Sequence, residues 1–316
     1  MSTDAMVSMV RVLASAPPNP PWSWNLAADL REMLSYPFMV NAFRAGTIVA
    51  IVAGIVGWFM VLRKQTFAGH TLAVSAFPGA AAATLLGIST TIGYFSFSLA
   101  AAVAIAFVAR TGRAGGFSEE SAVVGVVQAF VLASGFLFVS LYHGFSNGVN
   151  APLFGSSFAV TNSQVITLGG VGLGVLVVVA VFGRPLLFSS VDADVAAARG
   201  VRVQRLGFVF LIVLGAAAAE ASQIAGALLV FSLLVMPAAT AQRLTCRPAI
   251  SMFLTVVFGL LATWGGITLA YYQLYPLGFC ISSFSFGGYL LAIAATATRL
   301  RQRRPTATAQ PVGVVA

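Results

Sequence analysis

Lysine occurs once in this chain of 316 residues, at Lys64, and histidine only twice, at His70 and His143. With a single lysine and no Gly-x-x-x-x-Gly-Lys-Ser/Thr run, the chain has no P-loop and cannot bind ATP in that way. If ATP drives it, another chain must hydrolyse the nucleotide. The two cysteines, Cys246 and Cys280, fit no metal or redox spacing and provide no disulfide framework. Charged residues make up 8% of the sequence, against about 25% in a soluble protein, which excludes an ordinary soluble domain. Acids are scarcest of all in the apolar regions. Glu220 is the only one outside the tails and the basic connections, too little to build a coupling-ion site of carboxylates.

What remains is apolar. Hydrophobic residues are 59% of the chain and the mean hydropathy is +0.95. Apolar runs of about 20 residues, enough to cross a bilayer core of about 30 Å, recur along its length. They are continuous rather than alternating, which predicts helices and argues against a β-barrel. The expected fold is all-α and polytopic. Nine spans are predicted, at 42–62, 67–87, 91–110, 121–141, 164–183, 205–219, 222–243, 248–271 and 278–298. The sixth and seventh would be joined by a tight polar turn at Glu220-Ala221-Ser222-Gln223.

The net charge of +9 is a topology signal. Fourteen of the seventeen basic residues fall in alternate connections and at the C-terminal end, and the intervening connections hold none. The positive-inside rule puts the C-terminus in the cytoplasm and the N-terminus outside. That segregation argues against nucleic-acid binding. Residues 1–36 read as a tail followed by an interfacial amphipathic helix lying on lipid from Trp22 to Tyr36, 37–300 as the membrane domain, and 301–316 as a basic tail.

Several local patterns carry chemistry. His70 stands in an apolar stretch six residues after Arg63-Lys64. An imidazole there is either a ligand on an ion path or a neutral group hydrogen-bonded within the bundle. Thr71 and Ser75, at i and i+4, extend a weakly polar stripe and either face a pore or bond helix carbonyls. Glu220 either attracts cations at an outer entrance or sits in a solvated turn, and His143 lies in an uncharged outer loop. Asp192 through Gly200 reads as a short helix capped by Asp192 or Asp194, with Arg199 at its end and Gly200 as its stop. The same two aspartates could be mistaken for the metal-binding pair of a membrane-embedded transferase, but their place in a charge-matched short helix favours capping and docking. Gly169 to Gly174 opens an apolar span, so it is no dinucleotide loop; Gly170 and Gly174 read as close helix packing. Pro78 and Pro237 lie within spans and are expected to kink them.

Taken together, residues of about 34–300 resemble the permease subunit of ABC importers for zinc, manganese and iron. The stretches that carry the resemblance are Leu34 to Met39, Val61 to Gly69 leading to Phe77-Pro78-Gly79, Leu153 to Ser156, Asp192 to Val201, Pro276 to Gly278 and, most specifically, Gly226 to Ala241. The resemblance implies a homodimer with a central pore in a prokaryotic cell (inner) membrane, two ATP-binding subunits below and an extracytoplasmic metal-binding protein above. It implies no cofactor on this chain, with Zn2+ or Mn2+ as transported ions. Asp192, Asp194, Ala196, Arg199 and Gly200 would form the helix that couples to the ATPase, and His70, Thr71, Val74 and Ser75 would line the pore. The chain departs from the family at two of these positions: His70 stands where Asp is usual and Val74 where His is usual. One ligand is thus exchanged and the other lost. A secondary metal transporter or channel is the alternative.

Overall fold

The computed structural model describes residues 26–111, 117–142, 160–227, 230–273 and 275–302. Among them are twelve helices and no strand. These are α1 (Leu26–Ser35), α2 (Pro37–Leu62), α3 (Thr66–Val74), α4 (Ala76–Leu86), α5 (Thr90–Thr111) and α6 (Phe117–Leu141). There follow α7 (Asn162–Val191), α8 (Ala193–Ala198), α9 (Val203–Ala225), α10 (Val230–Leu244), α11 (Pro248–Gln273) and α12 (Leu277–Gln302). His143, the 153–156 signature, residues 1–25 and residues 303–316 lie outside the described residues.

Seven of the described helices, α2, α5, α6, α7, α9, α11 and α12, are long and apolar enough to cross a membrane. The expected count of nine is corrected at two places. The stretch 67–87 is two helices, α3 and α4, meeting at Ser75. Pro78 has no N–H to donate, and its ring crowds the carbonyl four residues earlier, at Val74, the last residue of α3. The second place is α10, 15 residues long with Pro237 inside it. At 1.5 Å per residue it reaches about 22 Å, short of a hydrocarbon core of about 30 Å.

Two boundaries also move. The fifth span runs on past 183 through Pro185 to Val191, because Leu186 is buried in the core and the Ser189 and Ser190 hydroxyls donate to the Leu186 carbonyl. The sixth does not stop at 219. Alanine, glutamate and glutamine are all good helix formers, so α9 continues through the expected polar turn until Gly226, at φ +84°, ends it.

The core is organised by α2 and α9, the most enclosed of the seven long helices. α2 is apolar on all sides, as a helix with neighbours all round must be. Met39, Val49, Val52, Val56 and Met60 are buried along it, against Leu214 of α9, Leu234 of α10 and Ile267 of α11. Small residues set how closely the helices approach. A Cβ on Gly57 of α2 would overlap the Leu234 carbonyl oxygen, and one on Gly69 of α3 would overlap the Met60 sulfur. Gly79 of α4 and Gly93 of α5 face each other backbone to backbone. Gly170 and Gly174, expected to pack closely, meet nothing within 4 Å in the chain; Gly172 between them is the residue that packs.

Candidate functional site

α3 begins at the turn Arg63-Lys64-Gln65, and its outward face carries Phe67 and then His70. His70 is half-buried, the last accessible residue before a run from Thr71 to Ala83 that is buried throughout. Its ring stands edge-on to Phe231 in the first turn of α10, with centroids 5.2 Å apart and planes at 75°. Nδ1 is buried and has no hydrogen-bond partner. Such a nitrogen is an expensive thing to enclose, and it is enclosed although the residue as a whole is only half-buried.

The three residues expected beside it do not share that edge. Thr71 and Ser75 are fully enclosed, and Val74 is buried. The Thr71 hydroxyl donates to Gln128 Oε1 on α6 at 3.0 Å. The Ser75 hydroxyl lies 2.6 Å from the Leu72 carbonyl and 3.2 Å from the Ser98 hydroxyl of α5. The polar stripe therefore stitches α3 to α5 and α6 and lines no open path over this chain. Hydroxyls one turn apart had two equivalent uses, and the surrounding helices decide between them.

Glu220 is also displaced from its expected place. It is not in a solvated turn or at an entrance; it is fully buried in α9. Its Oε1 would lie 3.0 Å from a Cβ on Gly172 of α7, a point that Val52 and Ile48 of α2 also approach. Neither carboxyl oxygen has a hydrogen-bond partner. The slot exists because residue 172 has no side chain. An unpartnered buried polar group costs about 1–3 kcal/mol, and an apolar side chain of similar volume removes the cost. Glu220→Met is expected to raise the unfolding free energy by an amount in that range, seen as a higher thermal midpoint; a lower midpoint would mean that the carboxyl has a stabilising partner.

At the other end of the bundle, α8 follows α7 directly. The Asp192 side chain accepts from the Val195 N–H at 2.9 Å and so is the cap, while Asp194 sits in the first turn. Ala196 is buried, Arg199 closes the helix, and Gly200 leaves it at φ +84°, where a side chain would be strained. Asp194 and Val195 are exposed. α8 is thus a six-residue helix with one buried alanine and its acids exposed. Among the described residues no group of three or more His, Cys, Asp or Glu side chains gathers to hold a metal, so the two aspartates of α8 have no third ligand.

A profile of the ABC 3 transport family matches residues 35–296. The chain belongs to the ABC 3 transport family. Similar members include the manganese transport system membrane protein MntC of Halalkalibacterium halodurans, 30% identical over 243 residues, covering 77% of this chain and 82% of that protein. The high-affinity zinc uptake system membrane protein ZnuB of Haemophilus influenzae is 26% identical over 238 residues, covering 74% and 88%. Among solved structures, PsaBC from Streptococcus pneumoniae in complex with Fab superposes with a TM-score of 0.77 at 27% identity, covering 88% of this chain and 99% of that one. Membership in the ABC 3 family gives the helix order above its context. The matched region takes in both His70 and α8, and ends within α12.

Proposed function

We propose that this chain is the membrane permease of an ATP-driven importer of divalent transition-metal ions, working by alternating access as a homodimer, with separate ATP-binding subunits and an extracytoplasmic binding protein. The observation that carries the reading is His70: a half-buried imidazole whose enclosed Nδ1 has no hydrogen-bond partner, in a chain of the ABC 3 family. Two copies, one per protomer, supply two nitrogens. That is fewer than the four ligands of a structural zinc site, and a weak site suits an ion that must leave.

The ATP-binding subunits would take α8 from the cytoplasm, the side that the positive-inside rule gives to the connection between α7 and α9. This chain supplies no phosphate loop of its own. An imidazole favours zinc, because manganese prefers oxygen ligands. The second reading is manganese, favoured by the name of the 30%-identical relative.

Uptake into proteoliposomes that hold the full complex tests both readings. Zinc entry should require ATP and the binding protein, and excess zinc should compete better than equal manganese or iron. Better competition by manganese reverses the order of the ions. Flux without ATP or any partner overturns the importer reading in favour of a channel or secondary transporter.

A further inference from the structure

We propose that Arg63 is the positioning residue that carries movement of α8 to the helix bearing His70. The inference rests on the permease reading, in which α8 meets the ATP-binding subunit, and goes beyond it by naming the side chain that joins the two ends of the machine.

Arg63 closes α2, and its backbone N–H donates to the Phe59 carbonyl at 2.9 Å. Its side chain then reaches three other segments. Nη1 lies 3.4 Å from the Ser189 hydroxyl and 3.3 Å from the Ser190 hydroxyl, in the last turn of α7 just before the Asp192 cap of α8. Nε donates to Gln65 Oε1 at 3.4 Å, and Gln65 is the residue on which α3 starts, five before His70. The guanidinium carbon sits 5.3 Å from the centre of the Phe210 ring on α9. Gly207, one turn earlier on α9, lies beside it: a Cβ there would sit 3.7 Å from Nη2, an ordinary contact. Both serine hydroxyls donate to the Leu186 carbonyl and so keep lone pairs for the arginine.

A planar group with five donors can hold several partners while lying on a ring; an ammonium on a flexible stem cannot do all of this. The turn after Arg63 is strained as well. Lys64 takes φ 57°, the only positive φ of a non-glycine residue among those described. Its N–H donates to the Val61 carbonyl, and that of Gln65 to the Met60 carbonyl. A side-chain-bearing residue is kept in that region where its surroundings over-determine it. The link between α2 and α3 is therefore stiff. A displacement of the α7 end drags a rigid corner and does not dissipate in a loose loop.

The test uses the complete reconstituted complex and reads two quantities, ATP hydrolysed and zinc or manganese ions taken up. In Arg63→Gln, assembly and basal ATP hydrolysis should stay within about two-fold of the parent, while ions moved per ATP fall roughly ten-fold. Arg63→Lys should be intermediate, because it keeps the charge over Phe210 and loses the fork. The Ser189→Ala/Ser190→Ala double variant removes only hydroxyls. It should lower the same ratio and add nothing further when combined with Arg63→Gln. It also carries the test alone if Arg63→Gln does not fold. Transporting variants with the parent's ratio overturn the proposal and leave the permease reading intact. A parent complex that moves neither ion with ATP overturns both.

Discussion

Gly79→Ala should abolish the accumulation of folded protein in the membrane, and Gly93→Ala should do the same. A Cβ on Gly79 would overlap the Gly93 carbonyl oxygen and lie 2.9 Å from the Phe97 Cβ; one on Gly93 would overlap the Gly79 carbonyl oxygen and lie 2.7 Å from the Ala83 Cβ. The obstructing atoms are backbone, so no rotamer change relieves them. α4 and α5 would have to separate along their contact, with loss of the dispersion that holds helices together where lipid removes the hydrophobic drive between them. Overpacking costs about 1–3 kcal/mol even where side chains can yield, and here the cost belongs above that range. The whole stability of a domain is about 5–15 kcal/mol. Gly287→Ala on α12 is the control, since a Cβ there meets nothing within 4 Å; it should accumulate at least as well as the parent. Membrane-fraction yield and the elution profile in detergent measure both. Normal yield of Gly79→Ala would mean that α4 and α5 are not in backbone contact.

His70→Ala is expected to cut ATP-dependent metal uptake by about ten-fold or more, a loss of the order of one charge-assisted or ligand contact, with assembly and yield unchanged. The side chain is half-buried and its enclosed Nδ1 makes no bond to the bundle, so its removal deletes little that holds the fold. The edge-on contact with Phe231 is an aromatic pair, worth about 0.5–1.5 kcal/mol. A second variant sharpens the result. His70→Asp replaces nitrogen by oxygen ligands and should recover uptake with competition shifted from zinc toward manganese. Uptake by His70→Ala equal to the parent's would make His70 a packing residue and remove it from the ion path.

The helical, membrane-spanning class was legible from the long apolar runs, because continuous hydrophobicity has one economical solution in lipid. The short helix at 193–198 was legible too, since a capping acid, an arginine at the end and a glycine stop are local signals. The failures lie where a local signal competes with burial. Glu220-Ala221-Ser222-Gln223 reads as a polar turn by composition, yet each residue tolerates a helix, and Gly172 on a distant segment makes room for the carboxyl. The apolar run of the fifth span fades at 183, yet Leu186 is buried beyond Pro185 and the helix persists. Thr71 and Ser75 look pore-lining until Gln128 and Ser98 are seen beside them. Phe231 lay inside the most specific stretch, and Arg63 in the basic turn, but nothing in hydropathy or charge counting gives their partners.

The shortness of α10 has an effect on timing. Its first turn, marked by Phe231, lies against His70, and the start of a helix carries a partial positive charge of about half an electron. If ions pass His70 as proposed, a cation there would meet a lone pair on one neighbour and a field of its own sign on the other. The attraction and the push would both be small, and dwell time at that point short. With a longer helix the positive end would lie elsewhere, and the same histidine would act as a trap.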